Sequence, residues 1–304
     1  MSSKSSIVLL KNVDSIQSYA PLIAKAAELS EEDSTLDILI LPQISKLNIL
    51  DVLLAEIYTL ATEIIENLGK PQIFTRVLFN EHYCVLKEPS WDLLILDNSD
   101  NSYDDFKYQD KGSLDNVNVQ RASNDPHHLK KDTDDSEASS ENVVALGGTF
   151  DHFHDGHKIL LTAALFLAKK KIIVGITDEE LLAKKKYKEL LQSYDYRKKI
   201  VVDFLNYVKP GLEIDAIAIR DVAGPTGYIE DIDSLVVSRE TISGGSFINN
   251  LRKEKGFRQL KVHVINVIGG EEEDGFQNKL SSTQLRKEEY ETMLAKKTES
   301  TTNQ

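Results

Sequence analysis

The sequence predicts an α/β protein: a parallel five-stranded sheet with helices on both faces over residues 142–295, preceded by a smaller α/β domain over residues 1–97. Three observations carry this. Apolar runs of strand length alternate with helical patterns along both stretches, and near-continuous apolar strands are those covered on both faces of a parallel sheet. Between the two stretches, residues 98–141 shift to Asp, Asn, Ser, Lys and Gln. Such a segment cannot bury enough surface to offset its ordering entropy, so it is expected to be a disordered polar linker. Finally, 304 residues with 41% hydrophobic content suffice for two cores.

In the first stretch the strand-like runs are 6–10 (SIVLL), 36–41 (LDILIL), 73–79 (IFTRVLF) and 92–96 (DLLIL). The clearest helix places Leu50, Leu53, Leu54, Ile57, Ile64, Ile65 and Leu68 at helical spacing and stops at Gly69-Lys70-Pro71. The residues leave its role open between a partner-binding domain and a nucleotide-binding-like module without chemistry. The linker holds His127 and His128, but no further ligand stands at zinc spacing, and no protein metal site is expected.

In the second stretch strands are expected at 143–147, 171–176 (KIIVGI), 213–219 (EIDAIAI), 234–238 (SLVVS) and 260–267 (LKVHVINV), with helices around 157–168, 194–208 and 246–255. No internal repeat is evident, and a flexible tail is expected over 296–304. In open parallel sheets ligands bind beyond the carboxyl ends of the strands, where the strand order reverses.

Composition excludes several functions. A formal net charge of −13 argues against nucleic acid as a partner, because phosphate backbones need clustered Lys and Arg. The single cysteine, Cys84, rules out an internal disulfide framework and suits a reducing compartment. No apolar run approaches the ~18 residues of a membrane span. A soluble cytoplasmic protein is expected, and nuclear residence fits the same observations.

The chemistry concentrates in Leu146-Gly147-Gly148-Thr149-Phe150-Asp151-His152-Phe153-His154-Asp155-Gly156-His157. A predicted strand precedes it and an apolar helix (HKILLTAALFLA) follows it. Glycines let backbone approach a ligand, and the new helix offers unpaired N–H groups to an anion. His154 and His157, three apart where the helix begins, can face one bound group. A second helix start, Leu280-Ser281-Ser282-Thr283-Gln284-Leu285-Arg286, groups three hydroxyls; Ser281 and Gln284 also fit a plain capping box.

Glycine turn, H-x-G-H and Ser-Ser-Thr helix start together resemble the H-x-G-H nucleotidyltransferases, a Rossmann-like fold. The closest resemblance is to pantetheine-phosphate adenylyltransferases of the eukaryotic and archaeal type, given His154 and the segment VVSRETISGG at 236–245. It covers roughly residues 142–290 and implies adenylyl transfer from ATP to 4′-phosphopantetheine, a step of coenzyme A biosynthesis. On that resemblance His157 stabilises the transition state, His154 completes the cradle and Lys185 holds the acceptor phosphate. The ATP-binding set is Gly148, Thr149, Phe150, His157, Arg239, Ser281, Ser282, Thr283 and Arg286. Acceptor binding falls to Thr149, Lys185 and Arg197, with Lys184 or Lys186 as alternatives to Lys185. The ordinary histidine pKa further suggests that His157 can carry a positive charge beside phosphates, while Asp151 is expected to brace the loop.

Mg²⁺ is expected on the ATP phosphates instead of a protein cage. The partners expected are ATP and 4′-phosphopantetheine, with no nucleic acid and no membrane. The chain lacks a G-x-x-x-x-G-K-[ST] P-loop, so dephospho-coenzyme A kinase must be a separate protein, and association with it or other coenzyme A pathway enzymes would shorten the path of the intermediate. Competing readings are a cytidylyltransferase, a nicotinamide mononucleotide adenylyltransferase, a pantoate ligase, or a non-catalytic nucleotide-binding scaffold.

Overall fold

The computed structural model of the chain describes residues 3–80, 91–98, 117–122, 141–266 and 281–302. The chain divides into two compact units, Met1–Ala138 with Tyr207–Gly211, and Ser139–Asn206 with Leu212–Gln304.

The first unit runs β1 (Ser3–Leu10), α1 (Ala20–Leu29), β2 (Ser30–Ile40), α2 (Leu47–Asn67), β3 (Phe74–Leu78), β4 (Leu93–Asp97) and β5 (Asn118–Ala122). Its sheet has the order β3-β2-β1-β4-β5, with every pair parallel. Consecutive residues Ile7, Val8, Leu9 and Leu10 are all buried, which requires cover on both faces of β1. Two features depart from the pattern of apolar runs. β2 begins at Ser30, six residues before the apolar run at 36–41, because its polar start pairs across an irregular register beside Ser3. β5 lies inside the span expected as linker, where Asn118–Ala122 gains backbone hydrogen bonds as an edge strand along β4. Most of that span, with His127 and His128, lies outside the described residues.

The second unit runs β6 (Glu141–Gly148), α3 (Asp155–Leu167), β7 (Ala168–Thr177), α4 (Glu179–Leu182), α5 (Tyr194–Val208), β8 (Glu213–Ile219), β9 (Ser234–Ser238), α6 (Ile242–Glu254), β10 (Lys261–Ile265) and α7 (Ser282–Thr302). The sheet order is β10-β9-β6-β7-β8, again all parallel. It is the Rossmann-like five-stranded sheet expected. On one face Ala145, Ile173, Leu235 and Val237 pack with Ile248 of α6. Their neighbours Val144, Leu146, Ile172, Val174 and Val236 point the other way and are buried too, with α3 against β6, β7 and β9. α7 continues to Thr302, into the stretch expected as a tail from Lys296, since no glycine or proline interrupts it. No helix among the described residues is long and apolar enough to cross a membrane.

Counted within each unit, both sheets have the strand order 3-2-1-4-5. The architecture therefore repeats where the sequence shows no repeat. In the second unit the order reverses between β6 and β9, so the loops after those strands flank the crevice in which such sheets bind ligands.

Candidate active site

The loop after β6 is built by a buried ring and two left-handed residues. Phe150 (φ 53°) and His152 (φ 46°) both take backbone conformations that side chains disfavour, at about 1–3 kcal/mol each. Phe150 is fully buried, and burying such a ring contributes about 1.5–3 kcal/mol, enough to hold its own backbone there. A Cβ placed on Gly148 would lie 3.1 Å from that ring, so a side chain there fits only if the buried ring gives by a few tenths of an ångström. The chain then enters α3 at His154, extended at the N-cap with φ −124°. The amide of Gly156, in the first turn of α3, has no intrahelical acceptor and lies where an anion can be bound.

The two motif histidines stack, with ring centroids 3.9 Å apart. Phe150 and Phe153 flank His157 at 5.3 and 5.8 Å. The backbone N–H of His154 donates to Nδ1 of His157 at 3.4 Å, which leaves Nε2 of a neutral His157 as the protonated, donating nitrogen. Burial holds His154 down at about 4, although Asp155 opposes it. Burial, and then His154, hold His157 well below the ordinary histidine value. Both are therefore neutral at neutral pH, and the positive charge expected on His157 is not present. Desolvation, which a sequence does not display, is the reason.

The two helix starts meet here. Ser282 Oγ at the start of α7 lies 3.4 Å from His154 Nε2. Ser281 Oγ accepts the Gln284 N–H at 3.3 Å; Gln284 turns its side chain to Glu288 at 2.8 Å, so only half of a capping box forms. Thr283 Oγ1 accepts from Arg286 Nη2 at 3.2 Å. Arg286 is buried and donates to the Asp151 carboxylate and to the Lys186 carbonyl at 3.2 Å. Arg197 is buried likewise, donating to the carbonyls of Thr149 at 2.6 Å and Gln192 at 3.0 Å. Both arginines were expected at ligands; in the structure they brace the loop that would hold them. Phe150 likewise presents only backbone to a ligand, its ring being spent on packing. Lys185, with Lys184 and Lys186, is exposed after α4, and Arg239 is exposed at the carboxyl end of β9.

Asp151 is the hub of this bracing. Its buried carboxylate accepts from the Gln192 N–H at 2.9 Å, from Arg286 and from His152. Burial pushes its pKa up, yet the bonds from His152, Gln192 and Arg286 outweigh burial and hold it below the usual carboxylate range. Gln192 returns the contact, its Oε1 accepting the His152 N–H at 2.9 Å. Gln192 and Glu289 were not visible as functional in the sequence, because their partners lie 40 and 137 residues away. Among the described residues no group of three His, Cys, Asp or Glu side chains is placed to hold a metal.

Residues 145–288 match the model of the Cytidylyltransferase-like family. The chain is 39% identical over 259 residues to a phosphopantetheine adenylyltransferase of Saccharomyces cerevisiae, covering 85% of this chain and 84% of that relative. It belongs to the phosphopantetheine adenylyltransferase family. A phosphopantetheine adenylyltransferase of Pyrococcus abyssi is 36% identical over 143 residues, 47% of this chain and 87% of the relative. The one from Methanothermobacter thermautotrophicus is 33% identical over 151 residues, 50% of this chain and 87% of the relative. Family membership makes the protein a nucleotidyltransferase. It also sets aside the scaffold reading.

Proposed function

We propose that the chain transfers the adenylyl group of ATP to the phosphate of 4′-phosphopantetheine, giving dephospho-coenzyme A and pyrophosphate. The observation that carries this is the meeting of Ser282, at the start of α7, with His154 Nε2, which brings two helix starts and two imidazoles together. A phosphate oxygen of the acceptor attacks the α-phosphorus of ATP in line. The new P–O bond forms as the bond to the β-phosphate bridging oxygen breaks, and pyrophosphate leaves with that electron pair. The acceptor enters as a phosphate dianion, so no general base is required.

His157 Nε2–H, the Gly156 amide and the Ser282 hydroxyl supply hydrogen bonds to α-phosphoryl oxygens as charge builds on them. Thr149, whose carbonyl Arg197 fixes, aligns the acceptor phosphate, and Lys185 reaches it from the loop after α4. Arg239 and the Ser281–Thr283 turn serve the triphosphate. An incoming phosphate favours protonation of a neighbouring imidazole, so the neutral histidines of the free protein gain charge character only with ligand present. Mg²⁺ fits as a passenger of the nucleotide: the one carboxylate at the core of the loop, Asp151, is spent on bracing. When bound, it neutralises charge on the departing pyrophosphate.

The relatives of archaeal origin are matched over 87% of their length by about half of this chain, which supports placing the chemistry in one unit. The first unit we assign to docking or stability, with a separate dephospho-coenzyme A kinase or another coenzyme A pathway enzyme as the partner its chemistry suggests. A single cysteine in 304 residues supports a reducing, cytoplasmic setting. The test is pyrophosphate release by purified protein offered ATP or CTP with phosphopantetheine, nicotinamide mononucleotide or phosphocholine. Release with ATP and phosphopantetheine alone is expected; release with CTP or another acceptor instead would overturn the assignment.

A further inference from the structure

Helix α7 meets the loop after β6 at three depths. At its start Ser282 reaches His154; about one turn on, Arg286 reaches Asp151. Nearly another turn on, Glu289 Oε2 lies 2.8 Å from His152 Nε2. The other ring nitrogen, His152 Nδ1, lies 3.0 Å from Asp151 Oδ2. An ionised carboxylate only accepts, so both contacts are hydrogen bonds only when both ring nitrogens carry hydrogen, that is, in the imidazolium.

We propose that His152 and Glu289 are positioning residues for the nucleotide, the bridge Asp151–His152–Glu289 holding the hydroxyl-bearing start of α7 over His154 and His157 and releasing it when His152 loses its proton. The proposal rests on the assignment of that helix start to ATP. The charged and titratable groups facing His152 are Asp151 and His154 on its own loop and Glu289 and Arg286 on α7, with Arg197 of α5 acting on Asp151. His154 is neutral, so Arg286 balances Asp151, and only a charged His152 balances Glu289.

When the proton leaves, one nitrogen still donates. Asp151 is fully buried and Glu289 is 50% exposed, and leaving the buried carboxylate short of a donor costs more than returning the exposed one to water. The hydrogen therefore stays on Nδ1, and the contact to α7 is the one lost. The hydrogen bond to Asp151, and then the one to Glu289, raise the His152 pKa against burial. A raised value means the bridge is complete below the ordinary histidine range and is lost as pH rises through the higher one. His154 and His157 shift the opposite way, and any pH dependence they add through protonation linked to ATP binding persists in a Glu289 variant, whereas the step from the bridge does not.

Two measurements test this, and neither depends on turnover. Calorimetry gives the Kd for ATP from about pH 6 to 9, in the full chain and in Glu289→Gln. NMR follows the His152 ring titration in both. The Kd of the wild type is expected to rise about three- to tenfold across the His152 titration. Glu289→Gln, which keeps the shape and an acceptor but not the charge, should bind ATP about two- to fivefold more weakly at low pH, show no alkaline step, and lower the His152 pKa by about half a unit to one unit. In turnover the same variant should raise KM for ATP, lower kcat as Ser282 loses its place, and leave KM for the acceptor within about twofold. A His152 titration unmoved by Glu289→Gln, or a wild-type Kd flat across it, overturns the bridge. Failure of the wild type to bind ATP at every pH would instead strike the nucleotide assignment itself.

Discussion

The two units carry the same strand order on different loops, and the contrast shows what makes a site. In the first unit β1 is followed by Lys11-Asn12-Val13-Asp14-Ser15, and the Asn12 amide donates to the Tyr19 hydroxyl at 3.1 Å. A backbone donor at the switch point is thus consumed by the protein itself. In the second, β6 is followed by a glycine turn and by two stacked imidazoles at the start of a helix. A shared architecture supplies the crevice, and the loop chemistry decides what occupies it.

The largest effects belong to the second unit. His157→Ala removes a donor whose bonds strengthen as charge develops, so kcat should fall about 10²- to 10³-fold with KM little changed. A loss confined to KM would assign His157 to ground-state binding. Gly148→Ala drives a Cβ to 3.1 Å from the buried Phe150 ring; the displaced loop should lower kcat about tenfold or more, and unchanged turnover would mean the ring yields. Lys185→Ala should raise KM for phosphopantetheine about tenfold while ATP affinity stays within about twofold. Equal loss of both ligands would move the role to Lys184 or Lys186.

The smallest effect belongs to the first unit. Tyr19→Phe deletes the acceptor of the Asn12 amide and should cost about 1 kcal/mol of stability, read by denaturant melts, with kcat unaltered. A fall in kcat without loss of fold would give the first unit a part in the chemistry.

Much of this contrast was legible in the chain. The runs at 213–219 and 194–208 coincide with β8 and α5, because continuous apolar strands and helical spacing are local signals. That His154, His157 and Ser282 stand at helix starts was readable for the same reason: helix starts declare themselves. β5 was not, since Asn118–Ala122 holds few apolar residues and exists through its ladder with β4. The neutral state of the histidines was hidden because burial is a property of the fold. Arg197 and Arg286 read as ligand binders because a sequence shows charge and not what surrounds it; the partner of Arg286 at Asp151 is 135 residues away.

Dividing the chain shows whether the loop chemistry of the second unit performs the transfer. A protein beginning at Ser139, where the second unit starts, and keeping Tyr207–Gly211, is assayed for pyrophosphate release with ATP and phosphopantetheine beside the full chain and a protein of residues 1–138. The second unit is predicted to turn over within about tenfold of the full chain, and the first unit to release none. A second unit that is folded by NMR yet inactive, and that regains turnover when the first unit is added back, would contradict the account.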